Sequence, residues 1–147
     1  MELAFRTDVF PDAAEIRRKV FMEEQGFQNE FDAVDEDERT IHLAAYRDGE
    51  LIGCARVFPS TLEPGLETVG GRWVFGRLAV LPQHRGGGAG SHILAKAEQL
   101  AADAGATEIH LHAQCSAQPL YVRAGYEAYG PIEYDEHVEH QWMVKRL

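Results

Sequence analysis

Cysteine is scarce in this chain: Cys54 and Cys115 are the only two in 147 residues. Neither sits in a spacing that suggests a disulfide scaffold or a zinc site. No apolar run approaches the roughly 20 residues that cross a bilayer. The opening Met1-Glu2-Leu3-Ala4-Phe5-Arg6 lacks a charged segment followed by an apolar one, so no secretory signal is expected. Together these absences predict a reducing, cytoplasmic setting. Base is also short: 14 lysines and arginines stand against 24 carboxylates, a formal net charge of -10. Such a chain repels phosphate backbones and anionic lipid, which argues against nucleic acid and membrane as partners. Between Glu23 and Glu38 the carboxylates include Glu30, Asp32 and Asp35, with no base among them. That stretch reads as a solvated loop, or as a mouth that attracts cationic amines.

A hydrophobic content of 45% and this length suit one domain, residues 1–147, with one core. Glu2 to Arg6 reads as a strand. Pro11-Asp12 opens a helix to about Gln25, where Gly26 ends it. Thr40 to Tyr46 and Leu51 to Phe58 form a hairpin around Asp48-Gly49. Pro59 to Gly71 is a loop, and Arg72 to Leu81 a strong strand. A glycine-rich turn from Arg85 to Gly90 leads into a helix over Ser91–Ala104. Thr107 to Gln114 is a strand, Ser116 to Ala124 a short helix, and Tyr126–Gly130 and Gln141–Leu147 close the sheet. The order predicts an α/β (mixed α+β) fold: a single mixed, mostly antiparallel central sheet with flanking helices.

The turn carries the chemistry. Leu78-Ala79-Val80 runs through Pro82 into Arg85-Gly86-Gly87-Gly88-Ala89-Gly90-Ser91. Glycines let backbone approach a ligand closely, and free amides at a helix start make an anion site. A P-loop needs Gly-Lys followed by Ser or Thr, which is absent. A dinucleotide fingerprint would put its third glycine on Ser91. The string from Arg85 to Gly90 has the R-x-x-G-x-G form and resembles the GCN5-related N-acetyltransferase superfamily. Gln114, Ala117, Tyr121 and Gly125-Tyr126 continue that resemblance, with Gln114 where the superfamily commonly has asparagine. Arg17, Glu24, Gln25, His42, Arg77, Tyr134 and His140 resemble the ElaA and YjcF type within it.

The resemblance implies acetyl-CoA as co-substrate, a small-molecule amine as acceptor, no metal, and direct attack in a ternary complex. A homodimer is left open. Leu78, Ala79, Val80, the turn from Arg85 through Gly86, Gly87, Gly88, Ala89 and Gly90 to Ser91, and Gln114 would bind the coenzyme. Arg17, Glu24, Gln25, His42, Arg77 and Tyr134 would line the acceptor site. An alkylammonium has a pKa of about 10.4, so a base must take its proton. His140 is the candidate base, with His42 as substitute, and Tyr121 the candidate proton donor to the thiolate. His110, His112 and Glu108 lack a further ligand at metal-binding spacing. Cys115 reads as a small packed residue. A non-catalytic acyl-CoA sensor or a partner-binding domain on the same fold is the alternative.

Overall fold

The computed structural model describes residues 2–147. Seven strands make one sheet in the order β1-β2-β3-β4-β5-β7-β6. They are β1 (Ala4–Arg6), β2 (Ile41–Arg47), β3 (Glu50–Pro59), β4 (Arg72–Val80), β5 (Glu108–Gln114), β6 (Glu127–Asp135) and β7 (Val138–Arg146). Every neighbouring pair is antiparallel except β4 with β5. That parallel pair needs a crossover, supplied by α2 (Ala89–Asp103). The mixed, mostly antiparallel sheet expected from the sequence is thus the observed one.

Two apolar clusters cover the sheet's two faces. On one, Ile93, Leu94, Ala97 and Ala101 of α2 pack on Leu43, Ile52, Val57, Phe75, Ile109 and Met143. These helix positions recur at spacings of three and four, which puts them in one stripe. On the other, Ala13 and Ile16 of α1 (Phe10–Arg17), with Val20, Phe21 and Phe27, pack on Cys54, Ala79 and Leu81.

The structure corrects several boundaries. The first helix does not stay α to Gln25: Arg18–Glu24 is π-helical, and the Gln25 amide donates to the Val20 carbonyl at 3.0 Å. This wider turn keeps Val20 and Phe21 both buried and brings Gln25 over the sheet. Helix α2 starts inside the glycine turn at Ala89, because Gly88 at φ 83° already ends the preceding turn. The predicted short helix is a 3₁₀ turn over Cys115–Ala117 followed by α3 (Gln118–Arg123). Strand β6 runs past Pro131, which an edge strand tolerates, with a register shift between Tyr129 and Glu133. His140 consequently lies inside β7 rather than before it.

Candidate active site

Strands β4 and β5 pair only where Arg72–Phe75 faces Glu108–Leu111. Beyond that, β4 continues against β3 and β5 against β7, so the two diverge. The wedge leaves backbone groups of β4 without a strand partner on that side. A bulge sharpens it: Cys54 opposes Ala79 and Arg56 opposes Gly76, so Arg77 and Leu78 together face Ala55. Arg77 sits at φ 54°. A side chain in that region carries strain of order 1–3 kcal/mol. Its guanidinium is held by Glu30: Nε lies 2.8 Å from the carboxylate in an ion pair, and Nε and Nη2 donate to the backbone carbonyl at 3.3 and 2.9 Å.

Two cavities open from the wedge, of about 500 Å³ and about 450 Å³. They share Leu78, Ala79, Val80, Arg85, Ala117 and Leu120, so they form one cleft through the splayed strands.

The smaller cavity is walled by Gly86, Gly88, Ala89, Gly90 and Ser91. The first α-helical hydrogen bond of α2 runs from the His92 amide to the Gly88 carbonyl. The amides of Ala89, Gly90 and Ser91 therefore have no acceptor within the helix, and no side chain caps them. Gly86 and Gly88 hold φ of 85° and 83°. This is a backbone anion site backed by the helix dipole, and a pyrophosphate fits it. Arg85 is less free than the motif suggests. Its Nε donates to the Val80 carbonyl at 2.8 Å, and its two terminal nitrogens grip Glu24 at 2.8 and 2.7 Å.

The larger cavity brings together Gln25, Arg77, Gln114, Tyr121 and His140. Gln114 donates to the Gln25 side chain at 2.7 Å, tying the end of β5 to the π-helical turn. Tyr121 packs against Phe75 and Tyr126. Burial alone pushes its phenol up from the usual value, so it stays protonated at neutral pH. The Nδ1 of His140 lies 2.9 Å from the Val138 carbonyl. A carbonyl can only accept, so Nδ1 carries the proton and Nε2 keeps the basic lone pair. The ring stacks on His112 at 5.0 Å between centroids. Burial, and then the charge of His140, push His112 down, against opposition from Glu133 and Asp135.

Five residues named from the sequence lie outside both linings. Arg17 is 1% exposed and binds Glu30 at 2.8 Å and Asp35 at 2.7 Å. His42 meets the Asp35 carbonyl through Nε2, and burial pushes its pKa down. Glu24 is taken by Arg85, not by Arg17. Tyr134 is 71% exposed on the edge strand. Gly87 also lines neither cavity. The acidic stretch is only in part a solvated loop: Glu23, Glu36 and Glu38 are exposed, but Glu30, Asp32 and Asp35 bind Arg17, Arg56 and Arg77, and Glu30 and Asp32 line the larger cavity. Burial works against the Asp35 charge, yet hydrogen bonds from Arg17 and the Asp32 amide hold it well below the usual carboxylate range. Burial pushes Glu30 up, and its arginines oppose that only in part. Cys54 is fully buried, which pushes its thiol up to about 12 and leaves it inert. His110 pairs with Glu108 and Tyr129.

Sequence reading missed Glu63, Asp135 and Trp142, which also line this cavity. One signal for Trp142 was available: it is two residues from His140 and shares its face of β7.

Residues 6–126 match the Acetyltransferase (GNAT) family. The chain belongs to that family. It is 29% identical over 144 residues to the uncharacterized N-acetyltransferase YjcF of Bacillus subtilis, covering 97% of this chain and 96% of that one. An acyl-CoA N-acyltransferase from Pseudomonas aeruginosa superposes with a TM-score of 0.81 at 27% identity, covering 98% of each chain. ElaA of Escherichia coli shares the fold with a TM-score of 0.83 at 18% identity, covering 99% of this chain and 100% of that one. The GNAT chain is thus of the ElaA and YjcF kind, and its class of activity is acyl-CoA-dependent N-acyl transfer. Among its described residues no helix is long and apolar enough to cross a membrane.

Proposed function

We propose that this GNAT protein moves an acetyl group from acetyl-CoA to the amine of a small-molecule acceptor, by direct attack within a ternary complex. The observation that carries the reading is the meeting of His140 and Tyr121 in one cavity with the unpaired stretch of β4. The coenzyme supplies the activated acyl thioester, and this chain's residues do the rest. The amides of Ala89 to Ser91 hold the pyrophosphate, and Leu78 to Val80 lie along the pantetheine arm. His140 takes a proton from the acceptor ammonium at Nε2, while its Nδ1–H stays on the Val138 carbonyl. Donors on the open side of β4 receive the developing oxyanion. Tyr121 gives its hydroxyl proton to the departing thiolate. As the tetrahedral intermediate collapses, its nitrogen sheds the second proton, which replaces the one Tyr121 has given; the raised pKa of the buried phenol favours this return.

Gln25, Gln114 and Arg77 shape the acceptor side. Arg17, His42 and Glu24 act through structure: they pin the acidic segment and the turn. Tyr134 takes no part in the cleft. The test is release of free thiol from acetyl-CoA across a panel of amines, with propionyl- and succinyl-CoA run in parallel. Turnover with acetyl-CoA above the other donors supports the reading. Tight coenzyme binding without turnover on any amine would mark a non-catalytic acyl-CoA sensor.

A further inference from the structure

We infer that the acceptor carries a second cationic nitrogen and no carboxylate: a diamine or longer oligoamine whose far end is held by Glu63 and the Trp142 indole, while Asp135, level with Val138 on the other side of His140, adds negative charge to the same cavity. The inference rests on the acyl-transfer reading above and names the substrate class of that same site.

The first ground is which charges in the larger cavity are already spent. Its cations are Arg56, Arg77 and Arg85. Arg56 is bound by Asp32 and Asp35 at 2.8 Å each, Arg77 by Glu30 at 2.8 Å, and Arg85 by Glu24 at 2.7 Å. Each guanidinium on the cavity wall is already charge-paired, so an acceptor carboxylate would have to compete with a protein carboxylate for it. The lining carboxylates differ. Glu30 and Asp32 are matched by these arginines, whereas Glu63 and Asp135 have no salt-bridge partner among the described residues. The cavity therefore presents two uncompensated negative charges to whatever enters.

The second ground is shape. The Gly65 amide donates to Glu63 Oε1 at 3.0 Å, which fixes the carboxylate. A Cβ placed at Gly65 would stand 3.1 Å from that oxygen and 3.4 Å from the Trp142 ring. Both contacts are tight, so carboxylate and indole lie side by side against Gly65 on the cavity wall, and anionic and aromatic groups together attract an alkylammonium. The Trp142 ring lies 4.8 Å from His112, and His112 lies 5.0 Å from His140. Three rings in a row lead from the base to the anionic end. They offer a flat apolar floor to a short alkyl spacer. Trp142 follows His140 by two residues on one strand face, about 6.5 Å along β7. The middle ring adds no repulsion, because burial and the neighbouring His140 disfavour charge on His112.

The third ground is the base itself. His140 lines the cavity and its Nε2 has no hydrogen-bond partner, so this atom is open to one amine while Glu63 is open to the other.

The experiment compares 1,4-diaminobutane, butylamine and 4-aminobutyrate as acceptors, with acetyl-CoA as donor and free thiol as the readout. The expected kcat/KM for the diamine exceeds that for butylamine by at least tenfold, and 4-aminobutyrate is the poorest of the three. Glu63→Gln with Asp135→Asn narrows the gap between diamine and monoamine to less than threefold, and Trp142→Leu narrows it in part. Added salt narrows it as well, because the carboxylates are accessible to water. The inference is overturned if butylamine or 4-aminobutyrate equals the diamine, or if the double variant keeps the tenfold preference. Should no amine release thiol, the acyl-transfer reading fails on its own. Calorimetry of the CoA-loaded protein with each of the three compounds then decides. Tighter binding of the diamine, lost in the double variant, upholds the recognition site; equal binding of all three removes it.

Discussion

At one end of the cleft, Gly86 and Gly88 at positive φ and three uncapped amides of α2 make an anion site almost wholly from backbone. At the other, Gln25, Arg77, Gln114, His140 and Trp142 converge from four separate stretches of chain to make an acceptor site from side chains. The first is specified by a run of seven residues. The second exists only once the sheet is assembled. A backbone site resists a Cβ where φ is positive, at Gly86 and Gly88, but needs few particular side chains. A side-chain site depends on each member, and on the ion pairs that hold the members in place.

Gly88→Asp should break the backbone end outright. It forces a β-carbon into φ 83° and places a carboxylate where phosphate must sit. Calorimetry should show acetyl-CoA affinity lowered by more than a hundredfold while thermal unfolding shifts little. Unchanged affinity would move the coenzyme away from this turn.

At the side-chain end, His140→Ala should lower kcat/KM by about 10²–10⁴ at neutral pH, the usual value of general base catalysis. Part should return at high pH, where the acceptor amine loses its proton unaided. Profiles of the same shape and height for both proteins would remove His140 from the base's role.

Arg17→Met asks whether the acceptor wall is also a structural element. The guanidinium is 1% exposed and holds Glu30 and Asp35, so its loss leaves each with a single arginine, Arg77 for Glu30 and Arg56 for Asp35. Leaving a buried charge wholly unpaired costs about 3–5 kcal/mol, and the remaining arginines hold the loss at or below the low end of that range, to be read as a fall in chemical or thermal unfolding midpoint. The pH sign follows from Asp35. Its folded pKa lies below the unfolded value of about 3.9, so its contribution is present above that value and fades as pH falls towards the folded one. Glu30, pushed the other way by burial, offsets part of this. Acidification from pH 5 to 3 should thus lower the melting temperature of the wild type more than that of Asp35→Asn.

How far the chain could be read in advance follows the same division. The glycine turn and the succession of strands and helices needed only local signals: glycine spacing, apolar runs and turn residues. The acidic segment misled because its partners Arg17, Arg56 and Arg77 lie 13 to 47 residues away in sequence. A charge run with distant partners looks like a solvated one. The π-helical turn was illegible for a related reason. Val20, Phe21 and Glu24 fit an α-helical period well enough, and only packing on β3 and β4 selects the wider winding. Tyr134 looked like a site residue by position, yet β6 continues past Pro131 and carries it out to the sheet edge.

Tyr121→Phe should have a smaller effect, since a thiolate leaves readily without help. A fall in kcat of about tenfold, the low end or below for a general acid, with coenzyme affinity unchanged, is expected. Full activity across the pH range would make Tyr121 a packing residue against Phe75 and Tyr126.

The smallest effect lies where the two ends meet, at the Glu24–Arg85 pair. Glu24 belongs to the π-helical turn and Arg85 to the glycine turn, and the pair ties one to the other. Both side chains are about two-fifths exposed, so the pair is screened by water and is of little weight for folding. Its influence falls on the coenzyme instead. While Glu24 grips both terminal nitrogens, Arg85 offers phosphate a neutralised charge. Glu24→Gln removes that competitor and should tighten acetyl-CoA binding by about twofold to fivefold, within the range of an exposed pair. Acid should do the same in the wild type. Hydrogen bonds from Arg85 hold Glu24 below the usual carboxylate value, so its grip persists above that range and loosens only as pH falls through the lowered one. The readout is calorimetric affinity of both proteins at pH 7 and at two salt concentrations. A weaker Glu24→Gln complex would mean that the carboxylate holds Arg85 in place for the ligand instead of competing with it, and the two ends of the cleft would then be coupled through this contact rather than independent.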